Sequence, residues 1–239
     1  MFKFDPGKNL LGEYGPLDGT MEFYGRINAI IKNTDFVLDL GAGRGSWFFD
    51  DNCSYRRNIR NIKDKVKFLV GVDMDKAIFE NQTTHKNIIM KSDKIPLDDN
   101  SMNIVIADWV LEHVQNPDDF VKEIYRVLKP GGFFCARTPH KYKYISIIAS
   151  LIKNKYHSKV LRFIQPERKE IDTFPTAYKI NTLKIIRKYF FNFKNISYLY
   201  TSQPSYYANS KSLFQFFSFL HKVLPAFMVS EIFVFLQKN

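Results

Sequence analysis

The chain has 239 residues, 45% of them hydrophobic and 25% charged, with two cysteines and a formal charge of +11. That length suits one α/β domain with a lid and a sizeable core, and the composition is ordinary for a soluble globular protein. Cys53 and Cys135 stand far apart without metal-ligand spacing, which excludes a zinc site or a disulfide framework and reads as two reduced thiols in a cytosolic setting.

In chain order, residues 1–20 carry Pro6, Gly7, Gly12, Gly15, Pro16 and Gly19, a loop-like entry. It has no apolar signal-peptide core. A helix is expected from Thr20 to about Asn33, with Phe23, Ile27, Ile30 and Ile31 on one face. Phe36 to Leu40 then reads as a short buried strand running into Gly41, Gly43 and Gly45. That is a strand end opening into a helix near Ser46, whose free N–H groups face a ligand crevice. The dinucleotide fingerprint wants its third Gly five residues after the first, whereas Gly41 and Gly45 are four apart, so a dehydrogenase is disfavoured.

Residues 50–65 are expected to hold a helix and a loop. Phe68 to Val72 is a second apolar strand, and Asp73 at its tip is placed to accept both ribose hydroxyls of an adenosine. A helix from Lys76 to Gln82 and a third strand, Ile88 to Met90, follow, then Ser92-Asp93-Lys94. Strand four runs from Met102 to Ala107. Asn116 caps a helix bearing Phe120, Ile124, Val127 and Leu128, and Pro130-Gly131-Gly132 leads into strand five, Gly132 to Ala136.

The ordered set DLGAGRG, VDMD, SDKIPLDDNSMNIV, LEHV and LKPGGFF, covering residues 36 to 138, resembles the class I S-adenosylmethionine-dependent methyltransferases. The resemblance implies a doubly wound, Rossmann-like sheet of seven mostly parallel strands, order 3-2-1-4-5-7-6, with a helical lid after strand 5. It implies S-adenosylmethionine as cofactor and S-adenosylhomocysteine as product. Asp39, Gly41, Ala42, Gly43, Gly45, Asp73, Met74, Ser92, Asp93, Lys94, Asp108, Trp109 and His113 would then line the cofactor site. Asp93 would meet the adenine amino group, the strand-end carbonyls around Ala107 and Asp108 the ammonium, and Trp109 would wall the site. Tyr14, Tyr24 and Arg26 would reach the methionine end. Some quinone-pathway relatives hold a metal through Glu-x-x-Glu-His; Trp109 stands at the first position here, so no metal is expected.

The end of strand five points at the same crevice. His140, or failing that His113, is a candidate general base, because a neutral imidazole titrates near working pH. From Lys141 to Lys194 there are thirteen Lys/Arg against three Asp/Glu, +10 of the whole +11. Such a segment suits an anionic partner or is a solvated face. Ile145, Ile148, Leu151 and Ile152 inside Lys141, Lys143, Lys153 and Lys155 read as an amphipathic lid helix or a membrane-surface element. Phe174 to Thr182, with ARTPHKYKYIS and PSYY, resembles methyltransferases encoded beside surface-polysaccharide glycosyltransferases.

A helix capped by Asn181 or Thr182 should run from Leu183 to Phe190, then Phe193 to Tyr200 should pair antiparallel with a last strand, Val229 to Leu236. Between them lies a helix from Ser212 to Val223. The polar residues Gln215, Ser218, His221, Lys222, Pro225, Ser230 and Glu231 interrupt that tail, so no membrane span is expected.

The whole reads as one domain: a cap (1–35), a cofactor core (36–140), a basic lid (141–182) and C-terminal helices with an antiparallel hairpin (183–239). The expected activity is O-methylation of a sugar or other small metabolite in surface-polysaccharide biosynthesis. A lipid or quinone-like acceptor is the alternative, and a non-catalytic methyltransferase-like module the alternative of another class. The expected partner is a small-molecule or glycan acceptor, phosphate-bearing in one version. Nucleic acid is not expected. The expected location is cytoplasmic, with peripheral contact at the inner membrane face through the basic lid.

Overall fold

The computed structural model describes residues 4–144, 146, 147, 175–205 and 207–239. Most of the expected lid, including Lys153 and Lys155, lies outside the described residues. Among the described residues eight strands form one sheet: β1 (Phe36–Leu40), β2 (Phe68–Asp73), β3 (Lys86–Ile89), β4 (Met102–Asp108), β5 (Leu128–Pro139), β6 (Phe193–Asn195), β7 (Tyr198–Tyr200) and β8 (Glu231–Lys238). The helices are α1 (Gly19–Ile30), α2 (Trp47–Asp50), α3 (Ser54–Arg60), α4 (Pro117–Val127), α5 (Leu183–Tyr189), α6 (Lys211–Val223) and α7 (Ala226–Val229).

The order is β3-β2-β1-β4-β5-β8-β6, with β7 also on β8. β1 to β5 are parallel, and β8 runs antiparallel to β5, β6 and β7. This is the expected Rossmann-like order, with the sixth strand in two pieces. Phe193 faces Lys238 and Tyr198 faces Phe233, so one register runs through both pieces. Ser197 causes the break: its N–H turns to Asn195 Oδ1 (2.9 Å), and its hydroxyl accepts the Phe235 N–H (3.2 Å).

Side chains alternate across the strands, so each face of the sheet needs its own cover. Leu38, Val70, Val105 and Phe134 pack under α4 and α5 through Ile124 and Ile186. Val37, Leu69, Ile104, Cys135 and Phe233 pack under α1 through Phe23 and Ile27. Asp18 starts α1, its Oδ1 accepting the N–H groups of Thr20 (2.9 Å) and Met21 (3.0 Å).

Two local expectations need correction, and a third is decided between its two alternatives. The segment expected as a helix at 76–82 is a 3₁₀ turn, Lys76–Glu80, because Asn81 spends its amide on the glycine loop instead of continuing the helix. Asn116 does not cap α4 with its side chain, which bonds Asp119. Thr182, rather than Asn181, caps α5 by accepting the Ile185 N–H (3.2 Å).

The strand order reverses at β1, which lies between β2 and β4. The crevice therefore opens beyond the C-terminal ends of β1 and β4.

Candidate functional site

The loop after β1 is held in shape from two sides. Gly41 N–H donates to Val72 O (2.7 Å), and Gly43 N–H donates to Asp73 Oδ2 (2.8 Å). The Asn81 amide donates to the carbonyls of Ala42 (3.1 Å) and Gly43 (3.0 Å). Gly41, Gly43 and Gly45 all have positive φ, where a Cβ is strained. They differ in what that Cβ would meet: Val110 at Gly41, Asn81 at Gly45, and nothing within 4 Å at Gly43. Gly43 is thus the point where the backbone borders open space.

Asp73 and Met74 follow at the end of β2, with Asp73 half-buried and Met74 61% exposed. Ser92, Asp93 and Lys94 form an exposed ledge beyond β3. An acid beside a bare backbone suits a vicinal diol, and an exposed thioether beside it suits a flat apolar ring.

Asp39 is half-buried on β1, and its carboxylate accepts no hydrogen bond among the described residues. Burial pushes its carboxyl up to about 7; Arg60 opposes that rise, and Asp108 and Asp73 add to it. Arg60, from α3, lies over the rings of Trp47 (4.6 Å) and Tyr24 (5.4 Å) and 3.5 Å from Asp108 Oδ2. Its buried Nε has no hydrogen-bond partner. A free carboxylate and an under-used guanidinium in one corner complement a zwitterion.

Asp108 at the tip of β4 is engaged elsewhere. Arg137, its register neighbour on β5, grips it through Nε (2.8 Å) and Nη2 (2.9 Å), and the Tyr24 hydroxyl adds a longer bond (3.3 Å). Burial disfavours the Asp108 charge, but the Arg137 charge and hydrogen bonds outweigh it and hold the carboxyl below its usual range. Arg137 is 4% exposed, lies under the Trp109 ring (5.0 Å) and donates to Thr20 Oγ1 (3.0 Å). Trp109 itself has φ +61 and is 37% exposed, a large ring in a strained conformation at the mouth of the crevice.

The two candidate bases are differently placed. His140 is buried, and its Nδ1 accepts the Tyr142 N–H (3.2 Å). Burial lowers its pKa, and a backbone hydrogen bond with Phe227 pulls the other way. A neutral ring accepting at Nδ1 carries its proton on Nε2, so His140 has the arrangement of a loop histidine bonded to backbone. His113 Nδ1 lies 2.8 Å from Pro175 O, and a carbonyl can only accept. Nδ1 therefore donates to that carbonyl, which fixes the orientation of the ring.

Around the end of β5 the acid of the LEHV motif meets residues that no motif announced. Glu112 Oε2 accepts the Thr138 hydroxyl (2.8 Å), and Thr138 Oγ1 accepts from the Asn181 amide (2.5 Å). Glu231 pairs with Lys143 (3.3 Å) and accepts the Ser202 hydroxyl (2.7 Å), with its Oε2 buried and unpartnered. Of the aromatic and basic residues expected near the methionine end, Tyr24 reaches Asp108. Tyr14 stacks on Tyr55 (5.8 Å), and Arg26 turns away to Glu22 (2.5 Å) and the Tyr198 ring (5.1 Å).

The family model described as "Methyltransferase domain" matches residues 38–136. A "Probable S-adenosylmethionine-dependent methyltransferase" of Mycolicibacterium smegmatis is 30% identical over 44% of this chain and 38% of its own length. A "Malonyl-[acyl-carrier protein] O-methyltransferase" of Marinomonas sp. is 30% identical over 43% of this chain and 37% of its own length. The chain thus spans about two fifths of these curated relatives. Among solved structures, a SAM-dependent methyltransferase from Aquifex aeolicus is similar in fold. Its TM-score is 0.51 at 16% identity, covering 99% of this chain and 100% of that one.

Proposed function

We propose that the whole chain is an S-adenosylmethionine-dependent methyltransferase, built on residues 38–136, which are a methyltransferase domain of the kind that uses this cofactor. The observation that carries the reading is the loop at Gly43: strained, braced by Asp73 and Asn81, and bordering open space. The residues present fit the cofactor. Asp73 would take the ribose hydroxyls, Met74 and the Ser92–Lys94 ledge the adenine, Asp39 the ammonium and Arg60 the carboxylate. The four-residue spacing of Gly41 and Gly45 argues against NAD.

When bound, S-adenosylmethionine supplies a methyl group on a positively charged sulfur. The chain's own residues then have to align an acceptor behind that methyl and exclude water. Trp109 walls the crevice, and the Arg137–Asp108 pair fixes the strand ends that carry it. If the acceptor is a hydroxyl, its proton must leave. His113, its ring oriented by the Pro175 carbonyl, is the better base, and His140 holds the loop that follows β5.

For the acceptor we favour the hydroxyl of a sugar or related small metabolite of surface-polysaccharide biosynthesis, phosphate-bearing in keeping with the basic segment from Lys141 to Lys194. The name of the Marinomonas relative supports O-methylation. A lipid or quinone-like acceptor is the second reading, supported by the Glu112-His113 pair within the 3₁₀ turn Leu111–His113. Incubation with methyl-labelled cofactor and panels of nucleotide sugars, glycolipids and quinols tests activity and acceptor together. Labelled sugar is the expected result. Label in the quinol alone would select the second reading, and cofactor binding without any transfer would leave a non-catalytic module.

A further inference from the structure

The tail of the chain carries an apolar face that the fold does not use. α6 is anchored by one side. Phe217 stacks on Tyr144 (5.6 Å), Phe214 meets Tyr207 (5.4 Å), and His221 Nδ1 bonds Ser202 O (2.9 Å). Its other side points outward. Phe216 is 54% exposed, Phe219 60% and Val223 57%, and Phe227 on α7 adds a fourth side chain at 44%. Positions 216, 219 and 223 follow helical spacing, so they form one stripe. No residue of α6 is buried. Isolated exposed hydrophobics are ordinary, but a contiguous stripe of large ones marks a contact surface.

Charge selects the occupant. Between Asp172 and Glu231 the sequence has no acidic residue, and it has seven Lys/Arg: Lys179, Lys184, Arg187, Lys188, Lys194, Lys211 and Lys222. Lys211 and Lys222 belong to α6 itself and are both exposed. A second copy would set its own Lys211 and Lys222 against the same basic face, which like charge disfavours. Phenylalanines on one side, lysines beside them and no carboxylate are the features of a helix that lies in an anionic lipid interface. No described helix is long and apolar enough to cross a membrane, and lying in the interface requires no crossing.

We propose that the outer face of α6 and α7 docks on an anionic membrane surface, with Phe216, Phe219, Val223 and Phe227 inserted and Lys211 and Lys222 at the headgroups. The surface also lies beside the crevice. The Phe227 ring is 6.1 Å from that of His140, at the exit of β5. Docking there would turn the strand ends toward the bilayer, where a lipid-borne acceptor is presented. The docking itself holds whichever reaction the crevice performs.

The test is co-sedimentation of the full chain with phosphatidylcholine vesicles, with and without phosphatidylglycerol. The native chain should bind the anionic vesicles and bind neutral ones at least about tenfold more weakly, with added salt reducing the difference. The double variant Phe216→Ser, Phe219→Ser should lose at least about tenfold in affinity for anionic vesicles, because two inserted rings are removed. Lys211→Glu with Lys222→Glu should lose the preference for anionic lipid. Both variants should keep the native unfolding midpoint and cofactor affinity, since these side chains are mostly exposed and Phe216 meets only its neighbour Phe217 among the ring contacts of the described residues. If the double variant does not fold, the lysine variant carries the test alone.

Absence of vesicle binding by the native chain would overturn the proposal. Equal binding by the phenylalanine variant would do the same. So would a concentration-dependent dimer, without vesicles, that the phenylalanine variant abolishes. Cofactor binding is read separately, so failure here leaves the methyl-transfer reading standing, and the reverse also holds.

Discussion

The two sides of the crevice are built in different ways. On the β1–β2 side the crevice is walled by backbone and short local turns: Gly43 borders open space, and the Asp39 carboxylate accepts no hydrogen bond among the described residues. On the β4–β5 side, side chains from distant parts of the chain lock onto each other. Asp108 is gripped by Arg137, Glu231 by Lys143, and Thr138 by Glu112 and Asn181. The first side spends Asp73 and Asn81 on the shape of a loop and leaves the Asp39 carboxylate over, and the second uses its polar groups on one another to fix the strand ends. Substitutions on the first should therefore change binding, and substitutions on the second should change stability.

The sharpest contrast is between the two histidines. His113→Gln should lower turnover by about 10² to 10⁴-fold with cofactor affinity unchanged, as loss of a general base does. His140→Gln should lower the unfolding midpoint and change turnover less than about threefold, since loss of a backbone-bonded ring costs only about 1 kcal/mol. The reverse pattern in steady-state kinetics would exchange their roles.

Next comes the buried pair. Arg137→Ala should cost about 3–5 kcal/mol in denaturant unfolding, because it removes the two short bonds to buried Asp108 and leaves only the longer contacts of Tyr24 and Arg60. Adding Asp108→Asn should recover part of that loss, and two additive losses would show that the pair does not couple. On the other side, Asp73→Ala should weaken cofactor binding by about 1.5–3 kcal/mol, the range for hydrogen bonds to a charged group. A stability loss of that size with intact affinity would place Asp73 with the locked residues instead.

The smallest effect is a pH dependence. The Asp39 carboxyl is raised to about 7 in the free protein, so below that pH it is protonated and must give up its proton to hold a cation. Affinity for a cationic cofactor should rise about tenfold per pH unit below 7, level off above it, and lose that slope in Asp39→Asn. Because the folded value is raised, the same group stabilises the free protein below the ordinary carboxylate range and loses that contribution as pH rises through 7.

The same division decides what the sequence discloses. Strands β1, β2, β4 and β5 and the glycine loop are local patterns, and the strand order follows from the resemblance they carry. Asp73 was legible because it sits at a strand tip one motif after the loop. Asn81 was not, because an Asn after a helical run looks like any helix end; its amide bonds to Ala42 and Gly43 exist only once the loop is folded. Arg137 could have been found by setting β4 beside β5, where it faces Asp108. Arg60 could not, since a basic residue in YRRNIRNIKDK is one of many until α3 lays it over Trp47. The split of the sixth strand depends on the Ser197 hydroxyl replacing a ladder carbonyl, a competition that strand propensity does not resolve.

The central claim is that the cofactor lies against the backbone at Gly43, and titration calorimetry of the native chain and Gly43→Val tests it most directly. Gly43 has φ +54 with no atom near its missing side chain, so valine should project into the ligand's space and strain the loop. S-adenosylhomocysteine should bind the native chain and NAD should not, and Gly43→Val should bind at least about a hundredfold more weakly, roughly 2.7 kcal/mol, with its fold intact. Unchanged affinity in Gly43→Val, or binding of NAD alone to the native chain, would contradict it.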